Sequence, residues 1–293
     1  MRRSSPALNK STLFLMFAKI LKSQHRSRRQ LTEHYEIEKE LAVRLKGAQP
    51  VERRRSYSTV YDELLRRVPH HPQWTLISDP EQTRKKVHRQ VCVLGRYVNG
   101  DSVFLEVGAG DCALAIEVAR QARKVYAVDV SRRLSEKMCF PDNFELIISD
   151  GVSIPVPENS VSIAYSYQCM EHLHPEDAVE QLRNIYKALA PGGNYLCVTP
   201  NRLAGPHDIS KYFDETPSGF HLKEYTGAEL VKLFRMVGFS KTHPYVGGRA
   251  ALRWVPIRIY ETVLNRLPYS ARRRIVAWLP FGVLWDIAVV GTK

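Results

Sequence analysis

Short apolar runs alternate through the middle of the chain with longer stretches whose apolar residues return every three or four positions. Val103–Val107 is apolar but for Glu106, residues 124–130 and Phe144–Ile148 are largely apolar, and residues 161–164 and 194–199 form two further runs. Runs this short and this apolar predict strands of a parallel sheet covered on both faces. The intervening segments read as helices. Residues 113–119 have helical composition, and Pro175 opens a stretch in which Ala178, Val179, Leu182, Ile185, Tyr186 and Leu189 share one face, stopped by Pro191-Gly192-Gly193. Thr226 and Glu229 form a capping box for a helix that begins at Gly227. A sixth strand ends near Tyr245 and a seventh covers residues 286–290, with an insertion predicted at about 247–282.

Ahead of the first strand the pattern is helical. Residues 30–46 and 57–68 predict two helices, the first ended by Gly47-Ala48-Gln49-Pro50 and the second by Pro69-His70-His71-Pro72. Asp79 and Pro80 supply an N-cap and a first-turn proline for a third, running to about Tyr97. The expected organisation is a basic helical extension and cap over residues 1–78, then an α/β domain over 79–293. In that arrangement the tyrosines and histidines of the cap reach substrate.

The strand ends carry the candidate chemistry. The first run leads into Gly108-Ala109-Gly110, where glycine lets a ligand approach the main chain closely. The second ends at Asp129, 23 positions after Glu106, where a carboxylate can accept hydrogen bonds from both hydroxyls of a ribose. The third ends at Asp150-Gly151 and the fourth at Gln168. In an open α/β sheet the ligand crevice lies at these carboxyl ends.

With these motifs, residues 94–293 resemble the class I S-adenosylmethionine-dependent methyltransferases. The likeness rests on Glu106-Val107-Gly108-Ala109-Gly110, Asp129, Asp150-Gly151, Glu171-His172-Leu173, and Leu189-Ala190-Pro191-Gly192-Gly193 before a strand. It implies a Rossmann-like, doubly wound, mostly parallel seven-stranded sheet with an antiparallel last strand. It also implies S-adenosylmethionine as cofactor, with Glu106, Gly108, Gly110, Asp129, Asp150, Gly151 and Gln168 binding it. Gly108 and Gly110 would face the methionine part, Asp129 the ribose and Asp150 the adenine amino group. Cys112 stands where a third glycine is usual. The segment from Gln168 to His172, with Gly219-Phe220-His221, is similar to methyltransferases of quinone biosynthesis and of small-RNA ends, some of which use a metal. Gln168 replaces their first acidic ligand, so no metal is expected here.

Charge changes the picture at the ends. The chain of 293 residues carries a net charge of +13, yet residues 101–250 hold 15 Lys and Arg against 19 acids, whereas residues 1–56 hold 14 against 5. Basic ends suit an anionic surface, whether lipid headgroups, a phosphorylated carrier or RNA. The apolar stretch at 13–21 is too short to cross a bilayer; residues 1–32 read as a packed helix, an interfacial helix or a targeting segment. Five scattered cysteines without a CxxC pair point to a reducing, cytoplasmic setting.

Methyl transfer from a sulfonium needs alignment above all, and a hydroxyl acceptor benefits from a base. His172 and His221 are the candidates. The expected function is O-methylation of a small or lipid-linked acceptor, a glycan precursor or quinone-type ring, in a cytoplasmic protein whose basic ends suit peripheral contact with an anionic membrane. The rivals are an RNA methyltransferase and a non-catalytic cofactor-binding partner protein.

Overall fold

A computed structural model of the chain describes residues 26–77, 79–245, 257–278 and 285–293. The apolar stretch at 13–21, most of the 1–32 segment and parts of the insertion at 247–282 lie outside the described residues.

Seven strands form one sheet in the order β3-β2-β1-β4-β5-β7-β6. They are β1 Val103–Val107, β2 Lys124–Asp129, β3 Phe144–Ile148, β4 Val161–Tyr167, β5 Leu189–Pro200, β6 Ser240–Tyr245 and β7 Asp286–Thr292. β1 pairs in parallel with β2 and β4, β2 with β3, and β4 with β5. β7 is antiparallel to both β5 and β6. This is the expected Rossmann-like sheet with its antiparallel last strand. The strand order reverses between β1 and β4, which opens a crevice at their carboxyl ends.

Side-chain alternation along β1 builds two cores at once. Val103, Leu105 and Val107 pack with Leu41, Leu64, Leu182 and Phe234 on one side of the sheet. Phe104 packs with Leu94, Leu114 and Val118 on the other. The helices that supply these residues are α1 Arg28–Gly47, α2 Pro50–Arg67, α4 Pro80–Leu94, α5 Ala113–Ala119, α6 Pro175–Ala188 and α7 Gly227–Val237. The short α3 is Pro72–Ile77, and α8 Ile257–Asn265 and α9 Tyr269–Trp278 lie in the insertion.

Several boundaries differ from the sequence pattern for reasons of capping. α2 starts at Pro50, seven residues before the expected position, because Gln49 and Glu52 form a capping box and proline fits the first helical turn. A proline likewise opens the unexpected α3. α4 stops at Leu94, with Gly95 as its C-cap. The predicted box at Thr226 and Glu229 is present in both directions.

Arg53 holds α2 onto the start of α6. Its guanidinium bonds both carboxylate oxygens of Asp177, at 2.7 and 3.2 Å, and the carbonyl of Ala48 at 2.8 Å. The Tyr57 hydroxyl donates to the same Asp177 at 2.7 Å and accepts from the His174 amide at 3.0 Å. Arg53 and Asp177 are both buried, so their charges are matched where water cannot screen them.

Candidate functional site: a cofactor cavity at the carboxyl ends of the strands

The carboxyl ends of β1, β2 and β4 border a cavity of about 210 Å³. Its floor is the β1 turn. Gly108 has φ +74°, and a Cβ there would meet the Cys169 Sγ at 2.8 Å, so the left-handed backbone and the close approach of the Cys169 side chain both call for glycine. The amides of Gly108 and Ala109 both donate to the Val128 carbonyl, tying the turn to β2. Cys112 adopts φ +59° at the N-cap of α5, a left-handed conformation in the place where a third glycine is usual.

Of the residues expected to bind cofactor, Glu106, Gly108, Gly110, Asp129, Gly151 and Gln168 all line this cavity. Asp129 Oδ2 accepts from the Gly110 amide at 2.7 Å and Oδ1 from the Ser131 amide at 3.1 Å, and burial raises the pKa of its carboxyl. Gln168, at φ +55°, donates to Asp286 Oδ1 at 2.9 Å. Asp150 is placed differently. Its carboxylate accepts from the amides of Val152 and Ser153 and the hydroxyl of Ser153, closing its own turn, and it is not among the cavity's lining residues. A short polar side chain followed by Gly151 finds these amides locally, so Ser149, Gly151, Ser153 and Ile154 face the cavity in its stead.

Glu106 is the electrostatic anomaly of the cavity. It is buried, its Oε2 has no hydrogen-bond partner, and burial pushes its pKa up to about 8. A desolvated, half-satisfied carboxyl suits a ligand that brings positive charge. The ammonium and sulfonium groups of S-adenosylmethionine meet that requirement, and the glycine turn and Asp129 meet those of its main-chain approach and ribose. The residues present fit the cofactor.

Two further sets of residues form the walls, one not singled out in the sequence and one expected only as the tyrosines of the cap. Thr83, Lys86, Val87 and Gln90 come from one face of α4 at helical spacing, and Tyr57, Tyr61 and Gln73 come from the cap. The Tyr61 hydroxyl donates to Gln73 Oε1 at 2.6 Å. The α4 set had a readable signal, since three polar residues and a valine recur at intervals of three and four. The cap tyrosines were expected at the site, but Gln73 was not, and the approach of the cap depends on a contact 120 residues distant in sequence between Tyr57 and Asp177.

Of the two candidate histidines, one reaches the cavity and the other stands behind it. His172 is in the short 3₁₀ turn Met170–His172 after β4, and it lines the cavity. Its Nδ1 is 3.0 Å from the Phe220 carbonyl, which can only accept, so Nδ1 carries the proton. Burial and the neighbouring His221 push its pKa down to about 4. The ring is therefore neutral at physiological pH, with a lone pair on Nε2. His221 does not line the cavity. Its ring centroid is 5.0 Å from that of His172, and its Nδ1 is 2.8 Å from Glu224 Oε1. Burial opposes its charge, but the Glu224 bond and the fields of Glu171 and Asp208 outweigh that and raise its pKa to about 9.

Glu171, His172 and His221 each offer a donor atom within 4.8 Å of the others, a set that could hold a divalent cation although none was expected. Glu171 Oε2 accepts from Thr199 at 2.8 Å, while Oε1 has no partner. His34, Glu38 and His71 in the cap form a second such set.

A methyltransferase-domain family matches residues 79–243, more than half of the chain, and the chain belongs to that family. The curated relatives it resembles include three named probable S-adenosylmethionine-dependent methyltransferases. Over 137 residues it is 29% identical to a Mycolicibacterium smegmatis protein named a probable S-adenosylmethionine-dependent methyltransferase, covering 46% of this chain and 51% of that one. The chain spans about half the length of the curated relatives it matches. Among solved structures it is similar to a SAM-dependent methyltransferase from Archaeoglobus fulgidus, with a TM-score of 0.51, 17% identity, and coverage of 72% of this chain and 94% of that one. The 1,6-didemethyltoxoflavin-N1-methyltransferase of Burkholderia thailandensis gives a TM-score of 0.52 at 16% identity, over 84% and 91% of the two chains. At these identities the likeness is one of fold.

Proposed function

We propose that the chain is an O-methyltransferase that takes methyl from S-adenosylmethionine and delivers it to a hydroxyl of a small or lipid-linked acceptor. In this reading residues 1–78 are a cap and residues 79–293 the catalytic domain. The observation that carries it is His172: a neutral imidazole on the cavity wall whose Nδ1 proton is committed to Phe220, leaving Nε2 as an acceptor.

Bound S-adenosylmethionine supplies an activated methyl on a positively charged sulfur. The turn at Gly108, with Glu106 and Asp129, holds and orients the cofactor. His172 accepts the proton that the acceptor hydroxyl loses as its oxygen forms the new bond. His221 acts on His172 and not on the acceptor: its retained charge, balanced by Glu224, keeps the His172 ring unprotonated. The cap tyrosines Tyr57 and Tyr61 close the cavity and exclude water.

The test is transfer of labelled methyl to fractionated cell extract, with the lipid, polar small-molecule and RNA pools counted separately. Label is expected in a lipid or small-molecule fraction. The His172→Ala variant should lower transfer by about 10²-fold or more while binding S-adenosylmethionine within about threefold of wild type. Label in the RNA pool, or transfer undiminished in the variant, overturns this reading.

A further inference from the structure

Two buried carboxylates grip the main chain at Gly219, Phe220 and His221, in the loop that follows β5. Glu38, on α1 of the cap, accepts the Phe220 amide on Oε2 at 2.9 Å. Asp208, the N-cap of the 3₁₀ turn Ile209–Tyr212, accepts the His221 amide on Oδ2 at 3.3 Å. The same two oxygens close on Gly219. A Cβ there would lie 2.5 Å from Glu38 Oε2 and 2.8 Å from Asp208 Oδ2, so glycine lets both carboxylates reach the chain at once.

Each carboxylate is itself fixed by a further donor. Glu38 Oε1 is 2.7 Å from His34 Nε2. His34 Nδ1 lies 2.9 Å from the Arg26 guanidinium, which can only donate, so the proton of that ring is on Nε2 and points at Glu38. Asp208 Oδ1 accepts the Ser210 amide at 3.0 Å and the Ser210 hydroxyl as well. Residues 219–221 lie in no helix or strand. No ladder of backbone bonds therefore sets the direction of the Phe220 carbonyl, and the two carboxylates take that part.

That carbonyl is the one that takes the Nδ1 proton of His172, at 3.0 Å. It belongs to the same peptide group as the His221 amide. The chain of bonds therefore runs from the His172 ring to the Phe220 oxygen, through one planar peptide to the His221 nitrogen, and on to Asp208. Hydrogen bonds in series polarise one another, so a carboxylate on the amide side makes the carbonyl a stronger acceptor. Glu38 pins the preceding peptide through the Phe220 amide. The partner of one ring nitrogen decides which nitrogen carries the proton.

We propose that Asp208 and Glu38 are positioning residues for methyl transfer: through the two peptides that flank Phe220 they aim and polarise its carbonyl, which holds the His172 proton on Nδ1 and leaves Nε2 bare for the acceptor hydroxyl. This rests on the methyl-transfer reading above and deepens it. Neither carboxylate touches acceptor or cofactor; both act through His172. Glu38 is 182 positions from Phe220 in sequence, so the docking of α1 against the domain becomes a condition for a correctly protonated base.

The experiment reads the His172 tautomer from the ring nitrogen shifts of the full chain carrying ¹⁵N-histidine, the His172 signals being those absent from His172→Gln. Asp208→Asn and Glu38→Gln keep side-chain size and remove the charge. The control, Tyr35→Phe, removes a different bond between α1 and the same loop, that of the Tyr35 hydroxyl to Asp214 at 2.7 Å. Wild type and control should show His172 with its proton on Nδ1, whereas both charge-removing variants shift part of the population to the Nε2–H form. In those two, kcat for transfer to the pool that wild type labels should fall about tenfold or more, with KM for S-adenosylmethionine within about threefold. A His172 that stays wholly in the Nδ1–H form in both variants, an equal shift in Tyr35→Phe, or a shifted tautomer with transfer undiminished overturns the proposal. The tautomer is read without any acceptor, so a wild type that transfers no methyl strikes the methyl-transfer reading while the relay to His172 is still decided by the nitrogen shifts.

Discussion

Glu106 is the only charged residue of β1, and it lies on a strand that is buried throughout. An ordinary core would have no place for it. With a pKa near 8, it holds a proton in the free protein at neutral pH, and a cationic ligand must displace that proton to pair with the carboxylate. The sign follows from linkage: below about pH 8 binding releases a proton, so affinity falls as pH falls, by up to about tenfold per unit. Calorimetric titration of S-adenosylmethionine from pH 6 to pH 9 should show this slope in wild type and lose it in Glu106→Gln. Identical profiles in the two proteins would count against Glu106 as the partner of the cofactor's charge. His172 titrates elsewhere. Its pKa of about 4 leaves it unprotonated throughout that range, so it adds no slope of its own.

Among the elements, α2 and α6 carry the coupling between cap and domain. Arg53 is buried and bidentate to a buried Asp177, so replacing it leaves that carboxylate without a counter-charge in a place that water does not reach. Arg53→Met should lower stability by about 3–5 kcal/mol. Thermal or urea denaturation reads this directly, and a loss below about 1 kcal/mol would mean that the pair is solvated in solution. Much of this element structure was legible. Short apolar runs located the strands of the sheet and a three-to-four period the main helices, and Thr226 with Glu229 marked a helix start to the residue. What escaped were positions where one residue has two local readings. α2 begins at Pro50 because proline serves as a first-turn residue there, although the same residue also reads as a stop. Glu106, Asp129 and Gln168 could be placed from strand ends alone. Asp150 could not, because the choice between ligand and local amides is made by the turn's own geometry. The carboxylates and imidazoles of Glu171, His172 and His221 were readable as chemistry, but their roles depend on which nitrogen meets Phe220 or Glu224, and only coordinates show that.

For the whole molecule, the uneven charge and the single sheet support one account. A mildly acidic core carries the cofactor cavity, and the excess of basic residues lies in the segments on either side of it in sequence. The fold and the family place the chain among the methyltransferases; cofactor binding by this chain is the claim on which everything else depends. Calorimetry of S-adenosylmethionine with wild type and Asp129→Ala, each checked for its fold by circular dichroism, tests that claim most directly. Wild type should bind, and the variant, lacking the carboxylate that anchors the Gly110 turn and faces the cavity, should bind about tenfold or more weakly. A folded wild type that takes up no S-adenosylmethionine at concentrations up to about 1 mM would contradict the account.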